Sequence, residues 1–146
     1  MLTSGTADSR LIGFMTVQAL TASKILAAVK TGVKKYGTNK VITTGHSLGA
    51  AIASLDAVYL KLADPSLQVS YVGFGQPRVG NDGFARFHKS IVSNSKHVTN
   101  KADPVPRLPG TFLGFSQLDG EVWIVSEVGS IALHVGLPLT FLGDIL

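Results

Sequence analysis

Residues 41–55 read VITTGHSLGAAIASL, and this stretch decides the fold. Its first four residues are β-branched and predict a strand, whereas the alanine-rich half after Gly49 predicts a helix. Between the two, the pentapeptide GHSLG places Ser47 on a turn that is flanked by glycines. A turn this tight holds the serine hydroxyl clear of the backbone. The stretch therefore predicts a nucleophile elbow, with Ser47 as the nucleophile.

The pattern G-x-S-x-G also occurs by chance, and then its serine is an ordinary helix cap in a glycine-rich turn. The strand before Ser47 and the helix after it favour the nucleophile, because α/β-hydrolases place their catalytic serine in this context. Such a serine attacks acyl carbonyl carbons once a base has taken its proton. The sequence thus predicts an enzyme that cleaves or transfers acyl groups.

Outward from the elbow, helical and strand patterns alternate. An amphipathic helix is predicted over about 17–36 after a loose start at residues 1–15, and a strand over 40–44 follows it. The elbow helix is predicted over 48–63. Strands near 69–74 and 97–100 are expected to lie parallel to the first strand, because helices separate them.

Two further elements complete the predicted fold. Asn81 is expected to cap a helix whose apolar face is Phe84, Phe87 and Ile91. Residues 110–126 are typical of a hairpin that turns at Asp119-Gly120, and the last twenty residues fit no assignment. The predicted fold class is α/β, an α/β-hydrolase core fragment with a mostly parallel central sheet and flanking helices. It forms a single, truncated domain over residues 1–146.

Composition excludes several classes of protein. The chain has a net charge of +4 but no basic patch interleaved with aromatic residues, so we expect no nucleic-acid partner. It contains no cysteine, which excludes disulfides and thiolate metal sites. Apolar runs are too short for a membrane span, and Asp8 and Arg10 argue against a signal peptide. No phosphate-binding or metal-binding motif is present, so we expect no cofactor.

The candidate acid is Asp103, which follows the predicted strand at 97–100 on a proline-stiffened loop. Both Ser47 and Asp103 come just after the carboxyl end of a strand, the edge at which open α/β sheets bind ligands. The alternative is an ordinary Asp-Pro turn. The backbone N–H of Leu48, directly after the nucleophile, is expected to donate a hydrogen bond to the oxyanion. No second donor for the oxyanion is evident upstream.

The candidate base is His134, the one histidine that follows Asp103 in the order serine, acid, histidine. A histidine without a role in this apolar tail is an equal alternative. His46 lies inside the elbow and is expected to be a packed structural residue. His88 falls in a predicted helix, and His97 precedes the acid.

Four motifs in order carry a family resemblance: VITTGHSLGAA at 41–51, GQPRVGN at 75–81, DPVPRLP at 103–109 and GEVWI at 120–124. The sequence closely resembles the fungal class 3 (Rhizomucor-type) triacylglycerol lipases, a group that includes feruloyl esterases. The resemblance covers roughly residues 13–125. It implies an α/β-hydrolase fold, an ester substrate such as an acylglycerol at a lipid interface, and an extracellular location. It also implies roles for Ser47 as nucleophile, Asp103 as acid and Leu48 as an oxyanion-hole amide.

The sequence departs from that family in two places. Upstream, it lacks a counterpart of the family's early strands, of the loop that completes the oxyanion hole and of the lid helix. Downstream, His134 follows Leu133 and lies eleven residues past Trp123, whereas the family histidine usually follows an aspartate much further along. Two hypotheses result: a serine esterase, or a non-catalytic lipase-fold fragment that binds lipid or a protein partner. The oligomeric state stays open.

Overall fold

The computed structural model describes residues 9–125 and the pair 131–132. Helices in this part of the chain are α1 (Ser9–Tyr36), α2 (Leu48–Ala63) and α3 (Asp82–Ile91). The strands are β1 (Lys40–His46), β2 (Gln68–Phe74), β3 (Gly80–Asn81), β4 (Asn94–Asn100), β5 (Phe115–Ser116), β6 (Glu121–Ile124) and β7 (Ile131–Ala132). Short 3-10 turns lie at Val105–Arg107 and Thr111–Leu113.

A central sheet runs in the order β1-β2-β4-β6-β7. Its first four strands are mutually parallel, and β7 pairs antiparallel with β6. A parallel pair needs a long crossover; α2 and α3 supply it for β1, β2 and β4, and the segment 101–120 supplies it between β4 and β6. The α/β class with a mostly parallel sheet and flanking helices is therefore confirmed.

Strand register brings the ends of β1, β2 and β4 to one edge of the sheet. His46 pairs with Phe74, and Phe74 pairs with Val98. Because the strands are parallel, the residues that follow them, Ser47 and Gly75, leave the sheet side by side. This carboxyl edge is where the candidate site lies.

The core forms between the sheet and the helices. Small residues let α2 lie close to β1 and β2, and four of its alanines are buried. Fully buried apolar side chains of the core include Tyr71, Leu60, Leu67 and Val92, and α1 packs the partly buried Ile25, Leu26, Val29 and Val33 against them. Burying one such aliphatic side chain stabilises a fold by about 1.5–3 kcal/mol, so this packing fixes the elbow helix on the sheet.

Two expectations about the helices need correction, and one is confirmed. Helix α1 begins at Ser9, earlier than predicted, because Met15 and Leu20 in its first half are exposed and give no buried stripe. On α3 the buried residues are Ala85 and His88, whereas Phe87 is 45% exposed. The Asn81 cap is confirmed, since its side chain accepts a hydrogen bond from the Phe84 N–H.

The predicted hairpin over 110–126 is wrong. Gly120 does turn the chain, with φ of 91°, but the turn delivers β6 to the parallel edge of β4. Two-residue β5 instead pairs antiparallel with β3. The Gly120 carbonyl accepts a hydrogen bond from His97 N–H, which begins the β4–β6 ladder. Among the described helices, none is both long and apolar enough to cross a membrane.

Candidate active site

The turn at Ser47 has the strained backbone that the sequence predicted. Its φ of 52° and ψ of −123° lie outside the regions that L-residues ordinarily adopt. The Ser47 N–H donates to the Phe74 carbonyl at 2.9 Å, which ties the turn to the end of β2. Its carbonyl accepts from Ala50 and begins α2, while its hydroxyl makes no capping hydrogen bond. The hydroxyl is therefore left available for chemistry.

Steric crowding at the elbow is concentrated on one glycine. A methyl group at Gly45 would lie 2.3 Å from the carbonyl oxygen of Gly49 and 2.7 Å from Ala50 N. At Gly49 the same addition meets nothing within 4 Å among the described residues. The end of β1 thus approaches the first turn of α2 so closely that only glycine fits at 45, whereas the described structure leaves room for a side chain at 49.

Strain at residue 47 gives a stability prediction. Replacing Ser47 with glycine is expected to raise the free energy of unfolding by about 1 kcal/mol, because glycine adopts this backbone without strain. Ser47→Ala keeps a Cβ and is the matched control, with no such gain expected. Urea denaturation of the two variants measures the difference. Equal stability of the two would show that no strain is stored at this position.

Leu48 is the first residue of α2, and its side chain is 52% exposed. The N–H groups of a helix's first turn have no acceptor within the helix and carry the positive end of its dipole. The Leu48 N–H therefore belongs to a set of donors that suits a developing oxyanion next to Ser47.

Asp103 stands on the loop after β4 and is half-buried. Its Oδ1 accepts from the Val105 N–H at 2.9 Å, and its own N–H donates to the Asn100 carbonyl at 2.9 Å. Lys101, with φ of 49°, reverses the chain between strand and acid. These bonds close a compact turn that presents the second carboxylate oxygen, Oδ2, to the sheet edge.

Gly75 is the point at which the elbow and the acid loop meet. It has φ of +55°, and a methyl group there would lie 3.0 Å from Asp103 Oδ2 and 3.5 Å from His46 Nε2. The Gly75 N–H also donates to Val98 O, which joins β2 to β4. The structure thus brings Asp103, His46 and Ser47 to one edge. His134 lies outside the described residues.

His46 is exposed, which corrects the expectation that it packs as a structural residue. In the described part of the chain β1 is the outer strand of the sheet, and alternate residues of this strand face away from the helices. The sequence did not predict that the His46 ring lies near the Asp103 carboxylate. The two side chains come from distant segments and both lie close to Gly75.

A second loop contact holds the acid loop from the far side. Arg78 Nη1 donates to the carbonyls of Arg107 and Pro109, the latter at 2.7 Å. The Arg78 N–H donates to the Leu108 carbonyl at 2.7 Å. Arg78 lies in the GQPRVGN motif, to which the sequence assigned no role, and a loop that follows 29 residues later gives no local signal of this contact. The described residues hold no group of three or more potential metal ligands.

The parallel sheet and the strained serine turn define an α/β-hydrolase. The sequence model of the family described as "Lipase (class 3)" matches residues 7–113, which is more than half of the chain. The chain therefore belongs to the class 3 lipase family.

Named relatives agree with this assignment. The chain is 38% identical over 112 residues to secreted mono- and diacylglycerol lipase 1 of Fusarium solani, covering 77% of this chain and 33% of that protein. It is 36% identical over 118 residues to the lipase of Rhizomucor miehei, covering 79% of this chain and 32% of that protein.

Solved structures agree on the fold. Lipase II from Rhizopus niveus superposes with a TM-score of 0.75 at 33% identity, covering 82% of this chain and 46% of that one. A triacylglycerol lipase whose catalytic centre is described as a serine protease triad superposes with a TM-score of 0.73 at 36% identity. The match covers 78% of this chain and 44% of that one. The chain spans about a third of the length of the curated relatives it matches.

Proposed function

We propose that this protein is a serine hydrolase of carboxylic esters, with acylglycerols as its substrates. The observation that carries the proposal is the strained turn at Ser47, with the Asp103 carboxylate at the same sheet edge. Backbone strain persists where a function requires it, and a serine that capped the helix would make the capping hydrogen bond that is absent here. Relatives named as mono- and diacylglycerol lipases support the substrate class.

In the proposed mechanism the Ser47 hydroxyl oxygen attacks the ester carbonyl carbon, and a histidine takes the hydroxyl proton. We assign this base to His134 and the orienting carboxylate to Asp103. The Leu48 N–H stabilises the oxyanion of the tetrahedral intermediate. The intermediate collapses with loss of the alcohol, which receives the proton, and water then hydrolyses the acyl-enzyme to release the carboxylic acid.

A lipid interface fits the exposed side chains at the same edge. Leu108 is 57% exposed and Phe112 is 88% exposed, and both lie on the loop that Arg78 holds beside the site. Large apolar side chains that stand exposed on one loop favour contact with an apolar phase. Because several relatives are named as secreted lipases, we also propose an extracellular location.

Covalent labelling tests the proposal. A fluorophosphonate probe is expected to label the folded protein at one site, and Ser47→Ala is expected to abolish labelling completely. The control is Ser54→Ala: Ser54 lies on the same helix, is fully buried and bonds the Ala51 carbonyl, so labelling should persist. Absence of labelling in folded wild type, together with lipid binding that survives Ser47→Ala, would favour the non-catalytic alternative.

A further inference from the structure

A network of hydrogen-bonded polar side chains, here called the polar network, begins at the hydroxyl of Tyr71 on β2. Tyr71 and Gln76 are both fully buried. The hydroxyl lies between two acceptors, the Ala50 carbonyl at 2.9 Å and Oε1 of Gln76, and shares its single proton between them. Burial raises the pKa of the Tyr71 hydroxyl, so this group stays a protonated donor. The first half of the polar network thus joins helix α2 to the loop after β2.

Its second half runs from Gln76 to the acid loop through Gln117. Gln76 Nε2 donates to Gln117 Oε1 at 3.1 Å, and Gln117 Nε2 donates to the carbonyls of Gln76 and Pro106 at 3.0 and 3.3 Å. The Leu118 N–H donates to the same Gln117 Oε1. Two carbonyls around one nitrogen and an N–H beside the oxygen fix which way the Gln117 amide points. The Gln76 orientation follows from it.

The two ends of the polar network lie beside the two candidate catalytic residues. Ala50 is three residues after Ser47, in the first turn of α2, and Pro106 is three residues after Asp103. The nucleophile and the acid come from segments more than fifty residues apart in sequence. The hydrogen-bonded path between those segments is fully buried at Tyr71 and Gln76 and half-buried at Gln117. Because hydrogen bonds shielded from water are stronger than exposed ones, the path restricts the distance between the two segments.

We propose that Tyr71, Gln76 and Gln117 are positioning residues that hold the Asp103 loop in register with the Ser47 elbow. The inference rests on the proposed esterase function. Removing the Tyr71 hydroxyl removes the one proton that the Ala50 carbonyl and Gln76 Oε1 share, so the buried Gln76 oxygen loses its donor. The loop then loses its fixed relation to the elbow. Reaction rate depends steeply on such positioning, whereas probe binding does not.

The test compares Tyr71→Phe with Tyr36→Phe, the same change at a residue that is 71% exposed. The limiting rate of Ser47 phosphonylation at saturating probe is expected to fall about tenfold in Tyr71→Phe, with an unchanged half-saturating concentration. Gln117→Leu, at the other end of the polar network, is expected to lower the phosphonylation rate by a similar factor. The double variant is expected to be no slower than the worse single variant, because both interrupt one path. Tyr36→Phe should match wild type.

Amide hydrogen exchange at Val105 supplies a readout that needs no catalysis, since this N–H donates to Asp103 Oδ1. Faster exchange in Tyr71→Phe and Gln117→Leu, with circular dichroism like wild type, supports the positioning role. Unchanged exchange overturns it, as do additive rate losses. Wild type that fails to label refutes the esterase function alone, and Val105 exchange still decides the positioning. If Tyr71→Phe does not fold, Gln117→Leu carries both measurements.

Discussion

Replacing Gly45 with alanine is expected to lower the free energy of unfolding by about 3 kcal/mol or more, a loss typical of overpacking against groups that cannot move. The added methyl would lie 2.3 Å from the Gly49 carbonyl oxygen. That carbonyl belongs to the backbone of α2's first turn, which is held by the Ala50 N–H bond to Ser47 and by Tyr71 on the Ala50 carbonyl. Urea denaturation measures the loss.

Gly49→Ala is the matched control on the same turn. Its added methyl meets no described atom within 4 Å, and alanine is the better helix former by about 0.5–1 kcal/mol. This variant is therefore expected to be at least as stable as wild type. Comparable losses in the two variants would contradict the close approach at Gly45, because both add the same methyl to the same elbow.

Elements with strong local signals could be predicted from the sequence. The β-branched run before Gly45 and the alanines after Gly49 mark strand and helix independently of the rest, and Asp64-Pro65 marks the end of α2. The parallel direction of β1, β2 and β4 follows from those elements alone, since a helix joins each of these strands to the next. The Ser47 turn was predictable for the same reason, because the glycines and the serine are contiguous.

Features that depend on distant pairing could not be predicted. The turn at Asp119-Gly120 carries a hairpin signal, but β6 finds a better partner in β4, where Trp123 Nε1 also donates to the Lys101 carbonyl. Gln76 and Gln117 are polar and forty-one residues apart, so no local pattern predicts that the first is fully buried and that the second, half-buried, bonds to it. The same limit applies to His88, an ionisable residue on a helix that gave no sign of burial.

Acidification from pH 7 to pH 4 is expected to remove about 3 kcal/mol of stability through His88 alone. Burial, the largest cause, lowers the pKa of His88 from 6.5 to about 4, a bond to the Ser54 carbonyl raises it, and the nearby His97 lowers it. Between these two pH values the unfolded chain binds a proton that the folded chain does not. Stability is therefore full above pH 6.5 and declines as the pH falls towards 4, at about 1.4 kcal/mol per pH unit.

The buried setting of His88 explains why the folded chain resists protonation. The Tyr71 ring meets it edge-on at 5.8 Å and the Phe84 ring lies at 6.1 Å, so no carboxylate among these neighbours would stabilise an imidazolium. Two other buried groups contribute to the total. Burial lowers the pKa of His97 and adds to the loss, whereas burial raises the pKa of Asp56 and opposes it at low pH.

His88→Asn isolates the contribution of this residue. Asparagine keeps an N–H donor near the Ser54 carbonyl but does not titrate, so the variant is expected to lose stability at pH 7 and to show a shallower decline below pH 6.5. Urea denaturation at pH 7, 5.5 and 4.5 gives both quantities. Phe87→Asn, one residue earlier on the same helix at a 45% exposed position, is the matched control; it removes no titrating group and should keep the wild-type slope. A His88→Asn slope equal to wild type would assign the acid sensitivity to His97, whose ring is also fully buried.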